Sequence, residues 1–309
     1  MDGEFDAQVT ATFGRYALVR SSDGEVHRAR PFGRGLDMVC GDCVRCAREA
    51  LHEETHIRAI LPRTTALYRA NARGGAETIV ANITHTAIVV APLPEPDFFV
   101  VDRYLSASLS GGIACLIVFN KAELTASAAA EQILAYYTTL GITRVNCSTA
   151  TGAGLDELSI ALRGATAVLV GQSGVGKSSL IRRLVPDAQT SVGALVRTTE
   201  EGRHTTTTSR LYDLPQGGHL IDSPGVRDFA PAIDRLEPRS LGFPDVERLA
   251  LGCRFLDCKH FQEPDCRVRD AAASGALPAQ RYESYRRLRR LFEQLDAARG
   301  PAGRRRPTR

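Results

Sequence analysis

The chain has 309 residues, 39 Lys+Arg against 35 Asp+Glu for a net charge of +4, and 43% apolar with 6% aromatic residues. This soluble, foldable composition excludes a disordered chain and a single small module, and at about 100–200 residues per domain it predicts two or three domains. No run approaches the ~18 apolar residues of a membrane span, and the acidic N-terminus MDGEFDAQVT lacks the basic and apolar regions of a secretory signal, so a cytoplasmic protein is expected.

Residues 1–90 carry short β-branched runs (FDAQVTATF, RYALVR, EVHRAR, VCGDCV, HIRAIL, TIVANI) separated by Gly-rich turns. They predict a small all-β barrel of five or six strands, with an oligonucleotide-binding-type barrel (OB-fold) as the candidate. Cys40, Cys43 and Cys46 have the spacing of a metal half-site that His52 or His56 can complete. The competing reading, small buried hydrophobes, is preferred because Cys40 and Cys43 flank a Gly41-Asp42 turn.

Residues 91–230, with the first strand starting at Ala87, alternate apolar strands with amphipathic helices: AIVVAP, VVDRYLSASLS, ACLIVFN, TASAAAEQILAYY, TRVNC, LDELSIAL, TAVLVG. That pattern specifies a doubly wound parallel α/β sheet buried on both faces. Asn120-Lys121-Ala122-Glu123 follows the strand ACLIVFN, and Ser148-Thr149-Ala150 follows TRVNC. A carboxylate at Glu123 can accept the N1–H and N2–H of guanine, Asn120 and Lys121 can hold the loop and cover the base, and backbone near Thr149 can donate to O6. NKAE is equally a helix-start cap, but such sheets bind ligands at the carboxyl ends of their strands.

Gly171-Gln172-Ser173-Gly174-Val175-Gly176-Lys177-Ser178-Ser179 lies between the strand TAVLVG and the helix SLIRRLV. Glycines let backbone N–H groups wrap a phosphate chain, Lys177 reaches the β- and γ-phosphates, and the Ser178 hydroxyl ligates Mg²⁺. The chain has only three Lys, so a compact ammonium here is no accident of a Lys-rich composition. Downstream, the run Gly202 to Thr208 contains His204, Thr205 and Thr206. One of the two threonines can supply a further hydroxyl to Mg²⁺, although a Thr-rich strand explains the same run. Asp222-Ser223-Pro224-Gly225 ends the strand GGHLID; Asp222 can hold Mg²⁺ through water and the Gly225 N–H can sense a γ-phosphate. Alone, DSPG is an ordinary turn.

Residues 231–309 hold Cys253, Cys258, His260 and Cys266 within fourteen positions, followed by Arg-rich helical sequence. Three thiolates and one imidazole fill a tetrahedral zinc site with no open position, predicting a structural and not a catalytic metal; the alternative is a set of buried reduced cysteines. Arg281 to Arg309 carries ten Arg and three acids, a net of +7, leaving −3 for the rest of the chain. The segment reads as an amphipathic helix with a solvated basic face suited to a phosphate backbone, ahead of a polar tail.

The order NKxE, STA, GxxxxGKS, a Thr-containing switch and DxxG resembles a GTPase domain whose motifs are circularly permuted. GRHTTTT with DSPG and the cysteine cluster, together with GDCV, PRTTALYR and DRYL, is similar to the ribosome small-subunit-dependent GTPase A family. The resemblance spans nearly the whole chain. It implies an N-terminal OB-fold barrel, a central circularly permuted P-loop α/β GTPase domain and a C-terminal zinc-binding helical domain. It also implies GTP hydrolysis to GDP and phosphate in late small-subunit maturation, rRNA and the small ribosomal subunit as partners, no membrane, a monomer, Zn²⁺ on the four C-terminal ligands and Mg²⁺ with GTP. The chain departs from the family pattern at Glu123, where Asp is usual, and at Thr149 and Ala150, where Ala and Lys are usual. Val226 stands where a Gln could orient the attacking water, so His204 becomes the candidate catalytic residue and weak intrinsic turnover is expected. The competing functions are a nucleotide-gated RNA-binding placeholder with negligible turnover, and an NTPase with a relaxed base pocket.

Overall fold

A computed structural model describes residues 3–33, 36–49, 54–71, 75–186, 209–226 and 230–299. Its first five strands are β1 (Glu4–Phe13), β2 (Tyr16–Ser21), β3 (Val26–Pro31), β4 (Cys43–Glu49) and β5 (Glu54–Ile60). They close in the order β1-β2-β3-β5-β4 and back to β1, with β3 and β5 parallel and the other pairs antiparallel. Closure leaves no free edge inside the ring. Alternate residues point inward, so Ala7, Val9, Ala17, Val19, Ala29, Val44, Cys46 and Ile57 form the barrel core. The prevalence of Ala and Val fits the narrow interior of so small a barrel.

The barrel strands end at Ile60. β6 (Ala66–Ala70) and β7 (Ala76–Ala81) form a separate antiparallel hairpin, and β8 (His85–Val90) already belongs to the parallel sheet. Two motifs of the resemblance meet where hairpin and barrel join. Asp42, of GDCV, is fully buried and receives Arg63, of PRTTALYR, through Nε to Oδ1 at 2.6 Å and NH2 to Oδ2 at 2.9 Å. Gly41 has φ +91°, and a Cβ there would stand 2.1 Å from the Ala81 carbonyl oxygen, so only glycine lets the two backbones approach.

The central sheet has the order β10-β9-β8-β11-β13-β12, where β9 is Ala114–Phe119, β10 Thr143–Asn146, β11 Thr166–Val170, β12 Arg210–Asp213 and β13 His219–Asp222. All neighbours are parallel except β12, which runs antiparallel to β13 and touches β1 at Ala11. Helices α1 (Phe98–Ser110) and α2 (Ala128–Thr139) cover one face, packing on Ile88, Val90, Ile117, Phe119, Val168 and Val170. Helices α3 (Leu155–Ala161) and α4 (Lys177–Leu184) cover the other, packing on the intervening Ala87, Val89, Leu116, Val118, Ala167 and Leu169. Period-two burial on both faces is what continuous apolar strands dictate. The chain builds outward from β8 to β10, then returns to the centre at β11. Strand direction of growth therefore reverses between β8 and β11, where a doubly wound sheet opens its ligand crevice.

C-terminal to the sheet lie α5 (Pro244–Ala250), α6 (Arg267–Ser274) and α7 (Ala279–Arg299). Their core, including Leu241, Phe243, Val246, Val268, Leu277, Tyr285 and Leu288, also takes in Phe99 and Ala107 of α1 and Tyr136 of α2. The basic helix is therefore less solvated than its sequence predicts. Arg281 is fully buried, with its guanidinium on Asp102 of α1 (NH1 to Oδ1, 2.5 Å) and on Asp245 of α5 (Nε to Oδ2, 3.0 Å; NH2 to Oδ1, 3.1 Å). Arg286, Arg287 and Arg290 share Glu283, and Arg289 pairs with Glu293 and donates to the Pro238 carbonyl. Leu291 on α7 is 45% exposed.

Candidate functional site

At the carboxyl end of β11 the backbone turns through Gly171 (φ +134°), Gly174 (φ +82°) and Gly176 (φ +99°) into the first residue of α4, Lys177. A Cβ on Gly171 would lie 2.2 Å from the Val89 carbonyl oxygen, and one on Gly176 would lie 2.2 Å from Asn120 Nδ2. Two of the three glycines are thus required both by backbone conformation and by close packing. The Lys177 ammonium donates to the carbonyls of Gly171 (2.7 Å) and Gln172 (2.5 Å), curling the loop around it. Ser173 and Ser178 are exposed, whereas Val175 is buried beneath the loop. Ser179 is half-buried, and its backbone N–H donates to the Gly176 carbonyl.

The NKAE and STA loops lean on this turn. Asn120 is fully buried at the end of β9; its Nδ2 donates to the Val175 carbonyl (2.9 Å) and its Oδ1 accepts the Thr149 N–H (3.3 Å). Lys121, at φ +57°, sends its ammonium to the carbonyls of Leu93 (2.7 Å) and Gly174 (2.9 Å). The Ala122 N–H donates to the Cys147 carbonyl, joining the two loops. Glu123 is exposed, and the Ser148 hydroxyl beside it holds its carboxyl below the usual range. Ser148 is buried and accepts the Thr151 N–H through its own Oγ (3.1 Å), while Ala150 is exposed.

Asp222 ends β13, two strands from β8, and is followed by Ser223 and a short 3-10 turn over Pro224–Val226 that contains Gly225. Sequence-predicted residues from four strand ends are thereby gathered along one side of the sheet, at the reversal between β8 and β11. His204, Thr205 and Thr206 lie outside the described residues.

Thirty residues beyond, Cys253, Cys258, His260 and Cys266 bring their ligand atoms within 4.8 Å of one another. The Cys253 Sγ to Cys266 Sγ distance is 3.9 Å, and His260 Nδ1 lies 3.6 Å from Cys253 Sγ and 3.3 Å from Cys266 Sγ. Bonds of about 2.3 Å to sulfur and about 2.0 Å to nitrogen at tetrahedral angles require edges of roughly 3.8 Å and roughly 3.5 Å, so the donor set fits one metal ion. Burial pushes the Cys258 and Cys266 thiols up and the His260 imidazole down to about 4, which keeps that ring neutral, the form that binds metal. His260 itself has φ +65°, and its carbonyl accepts the Tyr282 hydroxyl at 2.6 Å, tying the cluster to α7. Cys40 and Cys46 are instead buried in apolar cores, and among the described residues they join no such cluster.

The RsgA GTPase profile matches residues 60–231. A Pseudomonas aeruginosa (strain LESB58) protein named small ribosomal subunit biogenesis GTPase RsgA is 41% identical over 298 residues, covering 95% of this chain and 87% of the relative. The chain belongs to the RsgA family. A Chromohalobacter salexigens RsgA of the same name is 43% identical over 289 residues, 91% of this chain and 84% of that one. In fold, this RsgA-family chain matches the crystal structure of YjeQ from Thermotoga maritima, with TM-score 0.69, 24% identity and coverage of 98% and 100%. It matches YloQ, described as a circularly permuted GTPase, with TM-score 0.69, 23% identity and coverage of 94% and 96%.

Several contacts of this RsgA-family site carry no sequence signal. The Gln172 side chain accepts the Asp97 N–H (2.9 Å), so the phosphate-type loop is joined to the start of α1. The Tyr104 hydroxyl of α1 donates to the Val226 carbonyl (2.6 Å), directly after DSPG. Arg183, in the last turn of α4, donates through Nε (3.1 Å) and NH2 (2.9 Å) to the Thr149 carbonyl. Each pairing joins residues distant in sequence, and although Gln172, Thr149 and Tyr104 lie within motifs, none of those motifs indicates the partner.

Proposed function

We propose that this chain binds GTP at the β8/β11 crevice, hydrolyses it to GDP and phosphate, and acts in late maturation of the small ribosomal subunit, which stimulates the reaction and is released by it. The observation that carries this reading is the meeting of the Gly171–Ser179 turn, the NKAE and STA loops and Asp222 on one side of the sheet, in a chain whose relatives are named small ribosomal subunit biogenesis GTPase.

In this reading the N–H groups of residues 172–179 cradle the phosphates, and Lys177 exchanges two loop carbonyls for β- and γ-phosphate oxygens without leaving its place. Glu123 accepts from the guanine N1–H and N2–H, its charge kept by Ser148. Ser178, Asp222 and one of Thr205 or Thr206 hold Mg²⁺, which when bound neutralises charge across the β- and γ-phosphates. The Gly225 N–H senses the γ-phosphate. Val226 is buried and apolar and cannot orient water, so His204 is assigned that role and unassisted turnover is slow. The C-terminal ligands hold one structural Zn²⁺, and barrel and C-terminal region grip rRNA, with Arg287 and Arg290 as half-exposed cations on α7. The protein works as a cytoplasmic monomer; among the described residues no helix is long and apolar enough to cross a membrane.

Phosphate release measured with GTP and with ATP, each with and without purified small subunits, tests the proposal. Stimulation by subunits with GTP alone is expected. Absence of stimulation refutes the subunit-activated enzyme in favour of a placeholder, and equal use of ATP refutes guanine selection.

A further inference from the structure

Arg183 lies six residues beyond Lys177 on the far turn of α4, exposed, and no part of the nucleotide-site pattern includes it. Its guanidinium nonetheless makes two donations to a single acceptor, the Thr149 carbonyl, at 3.1 and 2.9 Å. That carbonyl belongs to the Thr149–Ala150 peptide. A peptide unit is planar and trans, so its C=O and N–H point in opposite directions. Holding the Thr149 oxygen against α4 therefore turns the Ala150 N–H away from α4. Ala150 is exposed, and its N–H has no hydrogen-bond partner among the described residues. The preceding N–H, that of Thr149, is steered by Asn120 Oδ1 through a long contact of 3.3 Å. The Thr149–Ala150 peptide is thus fixed at its oxygen by Arg183 and the preceding one at its N–H by Asn120, which leaves the Ala150 N–H of this short loop without a partner among the described residues.

We propose that Arg183 is a positioning residue for purine recognition: it fixes the Thr149–Ala150 peptide so that the Ala150 backbone amide is presented to a 6-keto oxygen. The inference rests on the reading of the site as a guanine-nucleotide site. It assigns Arg183 and Glu123 different parts of the base. The Ala150 amide reads the keto oxygen that GTP and ITP share and that ATP replaces with a donor amino group, whereas Glu123 reads the N2 amino group that GTP has and ITP lacks. It also makes α4 a strut between the two halves of the ligand, because its first residue, Lys177, serves the phosphates and its seventh, Arg183, serves the base loop. A side chain on Ala150 long enough to brace the loop is missing, and the bracing comes from the helix.

The test measures binding of GTP, ITP, ATP and inorganic triphosphate to the full chain, wild type against Arg183→Ala, Arg183→Lys and Glu123→Ala. Loss of two donors to one exposed acceptor is expected to weaken GTP and ITP equally, by about tenfold, with ATP and inorganic triphosphate unchanged. Arg183→Lys, which keeps one charged donor, recovers part of the loss. Glu123→Ala weakens GTP more than ITP. An unchanged GTP affinity in Arg183→Ala, or a loss shared by inorganic triphosphate, overturns the proposal. A wild type that binds ATP as well as GTP overturns the guanine reading itself.

Discussion

Replacing Arg281 by Met tests how the C-terminal region is held to the nucleotide domain. Arg281, Asp102 and Asp245 are each essentially without solvent contact, and the three guanidinium contacts are supplemented by Tyr137 OH to Asp102 (2.7 Å) and Tyr136 OH to Asp245 (3.2 Å). One cation between two carboxylates leaves a net negative charge inside. Burial raises Asp102 beyond what Arg281 offsets, whereas Asp245, although burial acts on it too, is held below its ordinary value by the bidentate guanidinium. Methionine fills similar volume but strands both carboxylates, and removing one member of a buried ion pair costs about 3–5 kcal/mol.

Without Arg281 both aspartates have folded-state pKa values above their unfolded ones. Such groups contribute stability that is full below the unfolded value near 3.8 and is lost as pH rises through the folded value. The Arg281→Met deficit should therefore be larger at about pH 8 than at about pH 5. Because the chain has several domains, one global unfolding curve is not the right measure. Native-state hydrogen exchange at α7 and α1 amides reads the local opening directly. A deficit below about 1 kcal/mol, or one that grows on acidification, refutes the reasoning. Recovery in the Arg281→Met chain when Asp102→Asn and Asp245→Asn are added is the further expectation.

Gly176→Ala, which forces a Cβ to 2.2 Å from Asn120 Nδ2 at φ +99°, should cost about 1–3 kcal/mol in strain and abolish GTP binding measured by titration calorimetry. A strong chelator, or Cys258→Ser, should release one metal ion per chain by mass spectrometry and raise hydrogen exchange over 253–292 while leaving the barrel protected. Tyr104→Phe removes the hydroxyl that joins α1 to Val226 at a stability cost of about 1 kcal/mol. Any difference in α7 hydrogen exchange between GDP-bound and non-hydrolysable-GTP-bound protein should shrink in that variant, and an undiminished difference would show that the bond transmits nothing.

The parts legible in the sequence were those whose information is local. The turn from Gly171 to Ser179 and the four C-terminal metal-type ligands each fit within a short window of fixed spacing, and both arrive in the structure as compact units. The barrel was legible as short strands, but its closure was not, since β1 pairs with β4 across some forty residues. In sequence the run TIVANI looks like any barrel strand, and only its pairing with β6 sets it in a separate hairpin. In sequence the basic helix reads as a solvated cation array, because nothing local shows that Arg281 meets Asp102 179 residues away. Arg183 was invisible for the same reason: an exposed Arg in the last turn of a helix reads as a favourable dipole partner, and only the fold brings Thr149 to it.

The permuted order sets which element joins the candidate nucleotide site to the rest of the chain. In chain order α1 follows β8 directly, so its start at Asp97 abuts the phosphate-type loop through Gln172, its middle holds Val226 through Tyr104, and its outer face holds Arg281 and, through Ser106 Oγ, the Leu241 carbonyl. A second route runs along the chain: the segment after DSPG pairs with β6 through Ala70 N–H to Ala230 and Ala232 N–H to Tyr68, then enters the C-terminal core at Ile233 and Leu236. The two routes end in the same core. A shift at Gly225 that keeps the Tyr104 bond is thereby passed to α1, which the buried ion triad holds to the C-terminal unit. The helix therefore joins the DSPG turn to the unit that carries the Cys/His cluster by side-chain bonds, apart from the continuity of the chain.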